Sequence, residues 1–158
     1  MASVKEAFSS AASLTITLNS LASSATAGRE STAVDNTSNL YLDALVEVLV
    51  SFPNSAPAND KTIYVYAYAA LDGTNYTGAA TGSDAAYTMQ DPTTLRLIGV
   101  IPVPTQNISY RSALFSVAAA FGNVLPPKWG IMVRNYAGQT LNGSGCSAQW
   151  VGVHQTVT

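Results

Sequence analysis

The stretch LYLDALVEVLVSF, residues 40–52, decides the fold class because its apolar residues recur at every second position. A period of two is the period of a β-strand, in which successive side chains point to opposite faces of a sheet. The opposite face of this strand mixes acids with leucines, so we expect it to be only partly exposed. The face that we expect in the core consists of Leu42, Ala44, Val46, Val48, Val50 and Phe52.

The stretch TIYVYAYAAL, residues 62–71, continues the alternation after a turn region that contains Pro53 and Pro57. Its aliphatic residues fall on one side and its tyrosines on the other, with neighbouring tyrosines about 6–7 Å apart. Such a row can pack inside the domain, form a protein interface, where Tyr is enriched, or stack on sugar rings. The sequence leaves all three roles open for Tyr64, Tyr66 and Tyr68.

Shorter alternating segments, separated by turns rich in Gly, Pro and Asn, complete the pattern. Seven or eight strands without a long helix predict an all-β fold, and specifically an antiparallel β-sandwich. The long loops favour a jelly roll over a meander. The Ala run near residue 119 is also compatible with a helix. The further strands are predicted at residues 14–18, 95–101, 112–121, 129–136 and 146–157, with a polar loop over 19–39 that holds a short strand near 30–34.

The first twelve residues, MASVKEAFSSAA, differ from the rest and are predicted to form a short helix or an extended arm. The remaining residues, 13–158, then form a single β-sandwich domain. Val4 and Phe8 share a helical face by the i, i+4 rule. So short a segment cannot bury them by itself, and we therefore expect both side chains to meet the core or a neighbouring subunit.

The chain is poor in side chains that do chemistry. Charged residues make up 10% of it, against about 25% in an average soluble domain. Its one cysteine, Cys146, and its one histidine, His154, fall on the same predicted strand, so they lie more than about 20 Å apart and cannot act as a nucleophile and its base. The sequence therefore predicts no enzyme, no cofactor and no metal site.

The acidic residues were the other candidates for a site. Asp43 and Glu47 lie on one strand face at about 13 Å, which is too far for a glycosidase pair. Asp72, Asp84 and Asp91 fall in predicted loops, where Asp commonly forms turns. A bound Ca²⁺ held by these three loops is the alternative.

The charge pattern also limits the partners. A net charge of −2 without a basic cluster argues against nucleic acid, which requires grouped Lys and Arg. No apolar run reaches the length of a membrane span. With a lone Cys and no secretory segment, we expect synthesis in a reducing cytoplasm. Low charge together with 47% hydrophobic residues fits either a chain that hides part of its surface in an assembly or a well-packed β domain coated with Ser, Thr and Asn.

Several phrases of the sequence resemble small virion structural proteins of tailed bacteriophages. The resemblance implies a β-sandwich decoration or cement protein on the outer surface of the phage head. It also implies the major capsid protein and neighbouring copies as partners, and the virion as location. A carbohydrate-binding module or tail-fibre component that uses the tyrosine row is the alternative. The phrases are DNTSNLYLDALVEVLVSF (35–52), KTIYVYAYAALDGTNYTGAATGSDAAY (61–87), RLIGVIPVP (96–104) and FSVAAAFGNVLPPKWGIMVRNYAGQTL (115–141).

Overall fold

The computed structural model describes residues 2–58, 60–91 and 93–157. In this part of the chain there are twelve strands and two short 3-10 helices, at Thr77–Ala79 and Ala118–Phe121. No helix in it is long and apolar enough to cross a membrane. The strands are β1 Val4–Phe8, β2 Ala12–Ser13, β3 Ala27–Glu30, β4 Val34–Asp35, β5 Asp43–Ser51, β6 Thr62–Ala70, β7 Ala85–Thr88, β8 Arg96–Pro102, β9 Ser109–Arg111, β10 Phe115–Ser116, β11 Lys128–Tyr136 and β12 Ser147–Val157.

The strands form two antiparallel sheets, so the predicted β-sandwich is confirmed. In the first sheet the order is β1-β12-β5-β10, with β2 also paired to β12 and β9 to β5. In the second sheet the order is β7-β3-β11-β6-β8, with β4 paired to β11. When β1 is joined with β2, β3 with β4 and β9 with β10, the two sheets have the strand order of a jelly roll of two Greek keys, in which β6 and β8 follow one another in the second sheet. β7 is an addition at the edge of the second sheet.

The main core lies between the sheets and follows the period-two pattern of the long strands. Along β5, buried and partly buried residues alternate at every position. Val46, Val48 and Val50 have no exposed surface. Trp129 at the start of β11 is also fully buried, and its ring meets that of Trp150 edge to face at 5.3 Å. The inward face predicted for residues 40–52 is therefore confirmed from Ala44 onward, whereas Leu42 is half exposed.

The predicted strand at residues 112–121 is wrong over most of its length. Only Phe115–Ser116 is a strand, and the chain then turns into the second 3-10 helix. The cause is the side chain of Asp43, whose two oxygens accept hydrogen bonds from the Ala118 amide at 2.8 Å and the Ser116 hydroxyl at 2.6 Å. These bonds hold the first turn of the helix, as an N-cap does.

The predicted strand at residues 14–18 is also wrong, although its burial pattern is right. Leu14 and Leu18 are buried, but the backbone between them does not join a sheet. The Thr17 amide donates instead to the Asp84 carboxylate at 3.0 Å, and the Thr15 carbonyl accepts from the Thr32 amide at 2.8 Å. In the predicted loop 19–39 the structure has two short strands, β3 and β4, in place of one near 30–34.

The N-terminal segment is extended, and the helical alternative for it is wrong. β1 pairs with β12 along its whole length, from Val4 opposite Val157 to Phe8 opposite Val153. A helix this short is unstable alone, whereas the free edge of β12 supplies a hydrogen-bonding partner for the extended backbone. The segment is thus the edge strand of the first sheet, with the interface candidates Val4 and Phe8 at its two ends.

Candidate functional site

The tyrosine row is not an exposed surface, because the segment that follows β6 folds back over it. Tyr68 has no exposed surface and Tyr66 is 9% exposed. The Tyr68 hydroxyl donates to the Ser31 carbonyl at 2.5 Å, and its ring meets that of Tyr76 at 5.5 Å. Burial raises the pKa of Tyr68. Of the three roles that the sequence left open, packing inside the domain therefore describes Tyr66 and Tyr68, which lie in a second, smaller core and are not available as interface residues.

Tyr64 alone of the three remains partly exposed, and it is held in place by its neighbours. Its hydroxyl donates to the Asp60 carboxylate, and this bond, together with slight burial, raises the pKa of Tyr64. The Arg134 guanidinium lies 4.5 Å from the centre of the Tyr64 ring and 5.7 Å from that of Tyr136. These are cation–π distances, so Tyr64, Arg134 and Tyr136 form a packed cluster on the outer face of the second sheet.

Val4 and Phe8 lie on a different side of the molecule from the tyrosines. Alternation along β1 puts them, with Glu6 between them, on the outer face of the first sheet. Val4 is 62% exposed and Phe8 57% exposed. Their partners across the ladder are Val157 and Val153. The structure therefore leaves these two candidates free to meet another molecule, but it does not bring them together with Tyr64.

The sequence interpretation missed an apolar flank on the side of the sandwich where β8 and β10 end the two sheets. It has two adjoining grooves, both lined by Ala120. The larger has a volume of about 790 Å³ and is lined mainly by carbon, including Pro126 and Pro127. We define the apolar flank by its large side chains, Leu71, Leu97, Leu114, Phe121 and Val124.

The aliphatic residues of the apolar flank are unusually exposed. The exposed fraction is 86% for Leu71, 67% for Val124, 60% for Leu114 and 52% for Leu97. They come from four separate segments, so no run of the sequence reveals them as a group. In the alternation predicted for residues 62–71, Leu71 falls on the same side as Ile63 and Val65. It lies beyond the end of β6, however, where no second sheet covers it.

One cation borders the apolar flank. Arg96 lines the larger groove and forms none of the ion pairs found in the described ranges. Asp72 also lines it, but its carboxylate accepts hydrogen bonds from the backbone amides of Asn75 and Thr74, which hold its pKa well below the usual range. The flank is therefore an apolar surface with an unpaired positive charge at its margin.

The remaining sequence candidates are not brought together, and two of them, Asp84 and Cys146, have structural partners. Asp84 is bonded to Arg29 at 2.5 Å and to Thr17. The Cys146 thiol accepts a hydrogen bond from the Ser51 amide, and burial raises its pKa. Asp72, Asp84 and Asp91 do not converge, since the described part of the chain has no group of three metal-ligating side chains.

Comparison with known proteins leaves the chain without a family. No family model matches it, and no curated protein matches it. Among solved structures it is similar to a chain of Desmodium yellow mottle tymovirus, with a TM-score of 0.34 and 9% identity over 100% of this chain and 87% of that one. A likeness this weak supports no argument about function. The function has to be inferred from this chain's own surfaces.

Proposed function

We propose that this chain is a non-enzymatic structural protein of a virus particle, which acts by contact with other proteins through its apolar flank. The observation that carries the proposal is the joint exposure of four large aliphatic side chains on one side of the sandwich. Contiguous exposed apolar patches mark interaction surfaces in soluble proteins. Jelly rolls also form the domains of viral capsids and lectins, although a fold alone does not set a function.

The energetics favour a covered flank. Burying a Leu or Val side chain contributes about 1.5–3 kcal/mol relative to leaving it in water. Leu71, Leu97, Leu114 and Val124 together therefore offer several kcal/mol to any partner that excludes water from them. The chain has few charges to oppose such a contact, with seven Lys and Arg and nine Asp and Glu in 158 residues.

The specific form that we propose is a decoration or cement protein on the outer surface of a phage head. The sequence resemblance to virion proteins of tailed bacteriophages supports this form. A protein that binds the assembled shell and not its open form stabilises the shell by mass action. Many weak contacts on one lattice add up through multivalency when neighbouring copies also touch.

Cryo-electron microscopy of the particles made in the cell that expresses this chain tests the proposal. We expect density for the sandwich at regular positions of the shell, with the apolar flank covered. Density at the tail would reject the decoration role but keep a virion role. Particles without this density, beside free protein, would overturn the proposal.

A flank variant makes the test specific to this surface. Leu71→Ser combined with Val124→Ser should weaken particle binding about tenfold or more, because it removes two apolar side chains from the contact. Ile108→Ser is the control, because Ile108 is also exposed, at 46%, but does not belong to the apolar flank. Its carbonyl accepts a hydrogen bond from the Phe52 amide, just after the last residue of β5. Equal loss in both variants would show that the flank is not the binding surface.

The carbohydrate-binding or tail-fibre alternative now depends on Tyr64, because Tyr66 and Tyr68 are buried. A glycan array screened with this chain and with Tyr64→Ala distinguishes the two roles. Glycan binding that disappears in the variant would favour the alternative over assembly.

A further inference from the structure

Two exposed residues of opposite charge, Glu6 and Arg96, have large apolar side chains beside them. Glu6 is exposed between Val4 and Phe8 on the outer face of β1. Arg96 is exposed beside Leu71 in the larger groove of the apolar flank, whose lining also includes Asp72, a carboxylate held by hydrogen bonds from Asn75 and Thr74. Neither charge takes part in an ion pair within the ranges that the structure covers. The outer face of β1 thus has an acid between two apolar side chains, and the larger groove has Arg96 at the margin of an apolar surface.

Glu6 and Arg96 do not pair within one molecule, although Glu6 lines a smaller groove with Ala118, at the start of the 3-10 helix whose other end borders the apolar flank. β1 is the first strand in the order of its sheet, and β10, which borders the apolar flank, is the last. Neighbouring strands lie about 4.8 Å apart, so three strand spacings separate β1 from the flank by about 14 Å within the sheet alone. Contact between Glu6 and Arg96 therefore requires two molecules.

We propose that the outer face of β1 in one copy docks on the apolar flank of a second copy, with Glu6 against Arg96 and Phe8 in the larger groove. This inference rests on the proposed function and names the neighbour that covers the flank. The groove, at about 790 Å³, is large enough for a phenyl ring. Charge complementarity favours a second copy as the occupant, because every molecule carries both Glu6 and Arg96 and can therefore offer each of them to a neighbour.

The contact is heterologous, since each copy uses two different surfaces. Such contacts repeat from copy to copy until they close into a ring or extend as a chain. The ion pair sets the orientation, and the apolar side chains around it supply most of the binding energy. An edge strand such as β1 is well placed for this role, because its side chains reach beyond the body of the sheet.

Charge reversal at the two positions tests the proposal by sedimentation velocity over a concentration series. Glu6→Arg alone and Arg96→Glu alone each place like charges opposite one another, and each should weaken self-association about tenfold or more. The double variant should regain it. A 1:1 mixture of the two single variants should also regain it, because each then finds its complement in the other.

The control variant changes a neighbouring charge on the same strand, β1. Lys5→Glu reverses the neighbouring charge, which points to the opposite face of β1, and it should leave self-association unchanged. Loss in Lys5→Glu equal to that in the other variants, or no recovery in the mixture, would overturn the inference. A wild-type chain that remains monomeric at the highest soluble concentration would overturn it as well.

Particle binding, measured separately by co-sedimentation with shells, distinguishes this inference from the proposed function. Shell binding without the predicted self-association leaves the function standing and rejects the contact. The predicted self-association without any shell binding keeps the contact and rejects the virion role.

Discussion

The ring of Phe115, from the first sheet, occupies the space where Gly99, in the second sheet, would carry a side chain. A Cβ atom on Gly99 would collide with three atoms of that ring. Phe115 thus closes the side of the sandwich beneath the apolar flank. Its ring lies so close to residue 99 that only glycine fits there.

Gly99→Ala should therefore destabilise the fold, because the new methyl group forces the Phe115 ring out of its position. We expect a loss of about 1–3 kcal/mol in the free energy of unfolding, as for other overpacked sites. Urea denaturation measures it. Gly143→Ala is the control, since a Cβ there meets only the Ser20 hydroxyl at an ordinary distance. Similar stability of the two variants would contradict the packing.

The carboxylate of Asp43 should stabilise the second 3-10 helix from a position 75 residues away in the chain. Asp43→Ala leaves the Ala118 amide and the Ser116 hydroxyl without their acceptor. We expect a loss of about 1–3 kcal/mol in urea denaturation, the usual range for a lost cap with buried donors. Ser116→Ala removes one of these bonds and should cost less. An Asp43→Ala protein as stable as the wild type would reject this role.

The stability contributed by Asp84 should depend on pH. Burial raises the pKa of this carboxyl, but hydrogen bonds from Arg29 and Thr17 outweigh burial and hold the pKa below its usual value. A lowered pKa in the folded state adds stability that is complete above the unfolded pKa of about 3.9. That stability is lost as the pH falls through the folded pKa.

The measurement compares the free energy of unfolding of the wild type and Asp84→Asn between about pH 7 and pH 2. We expect the advantage of the wild type to be constant at neutral pH and to shrink on acidification below about pH 4. An advantage that grows on acidification would mean that the sign of the shift is wrong.

Tyr68→Phe and Tyr64→Phe form a matched pair that tests the burial of the tyrosine row. The Tyr68 hydroxyl is buried and bonds to the Ser31 carbonyl, so its removal leaves a buried acceptor unpaired and should cost about 1–3 kcal/mol. The Tyr64 hydroxyl bonds to Asp60 at the surface, and its removal should change the unfolding free energy by less than about 0.5 kcal/mol. Equal costs would indicate that Tyr68 is exposed in solution.

The amino-acid sequence was sufficient for the fold class and for the inward face of β5 from Ala44 onward. A period of two is a local property, because alternation follows from strand geometry whatever the neighbouring strands are. For the same reason the burial of Leu14 and Leu18 followed the pattern even where no strand formed. Trp129 is fully buried, as is typical of so large an apolar side chain.

Only the tertiary structure determined which side chains are covered and where the chain turns. The tyrosines of β6 are buried because the segment after that strand folds back over them, and the chain turns at Ala118 because Asp43 bonds to it across the sandwich. Leu71 and Val124 are exposed because the sheets end where they do. Each of these outcomes depends on tertiary contacts, so the hydrophobic period assigned the long strands but missed that residues 14–18 and 117–121 form no strand, and it missed the surfaces through which the protein could meet its partners.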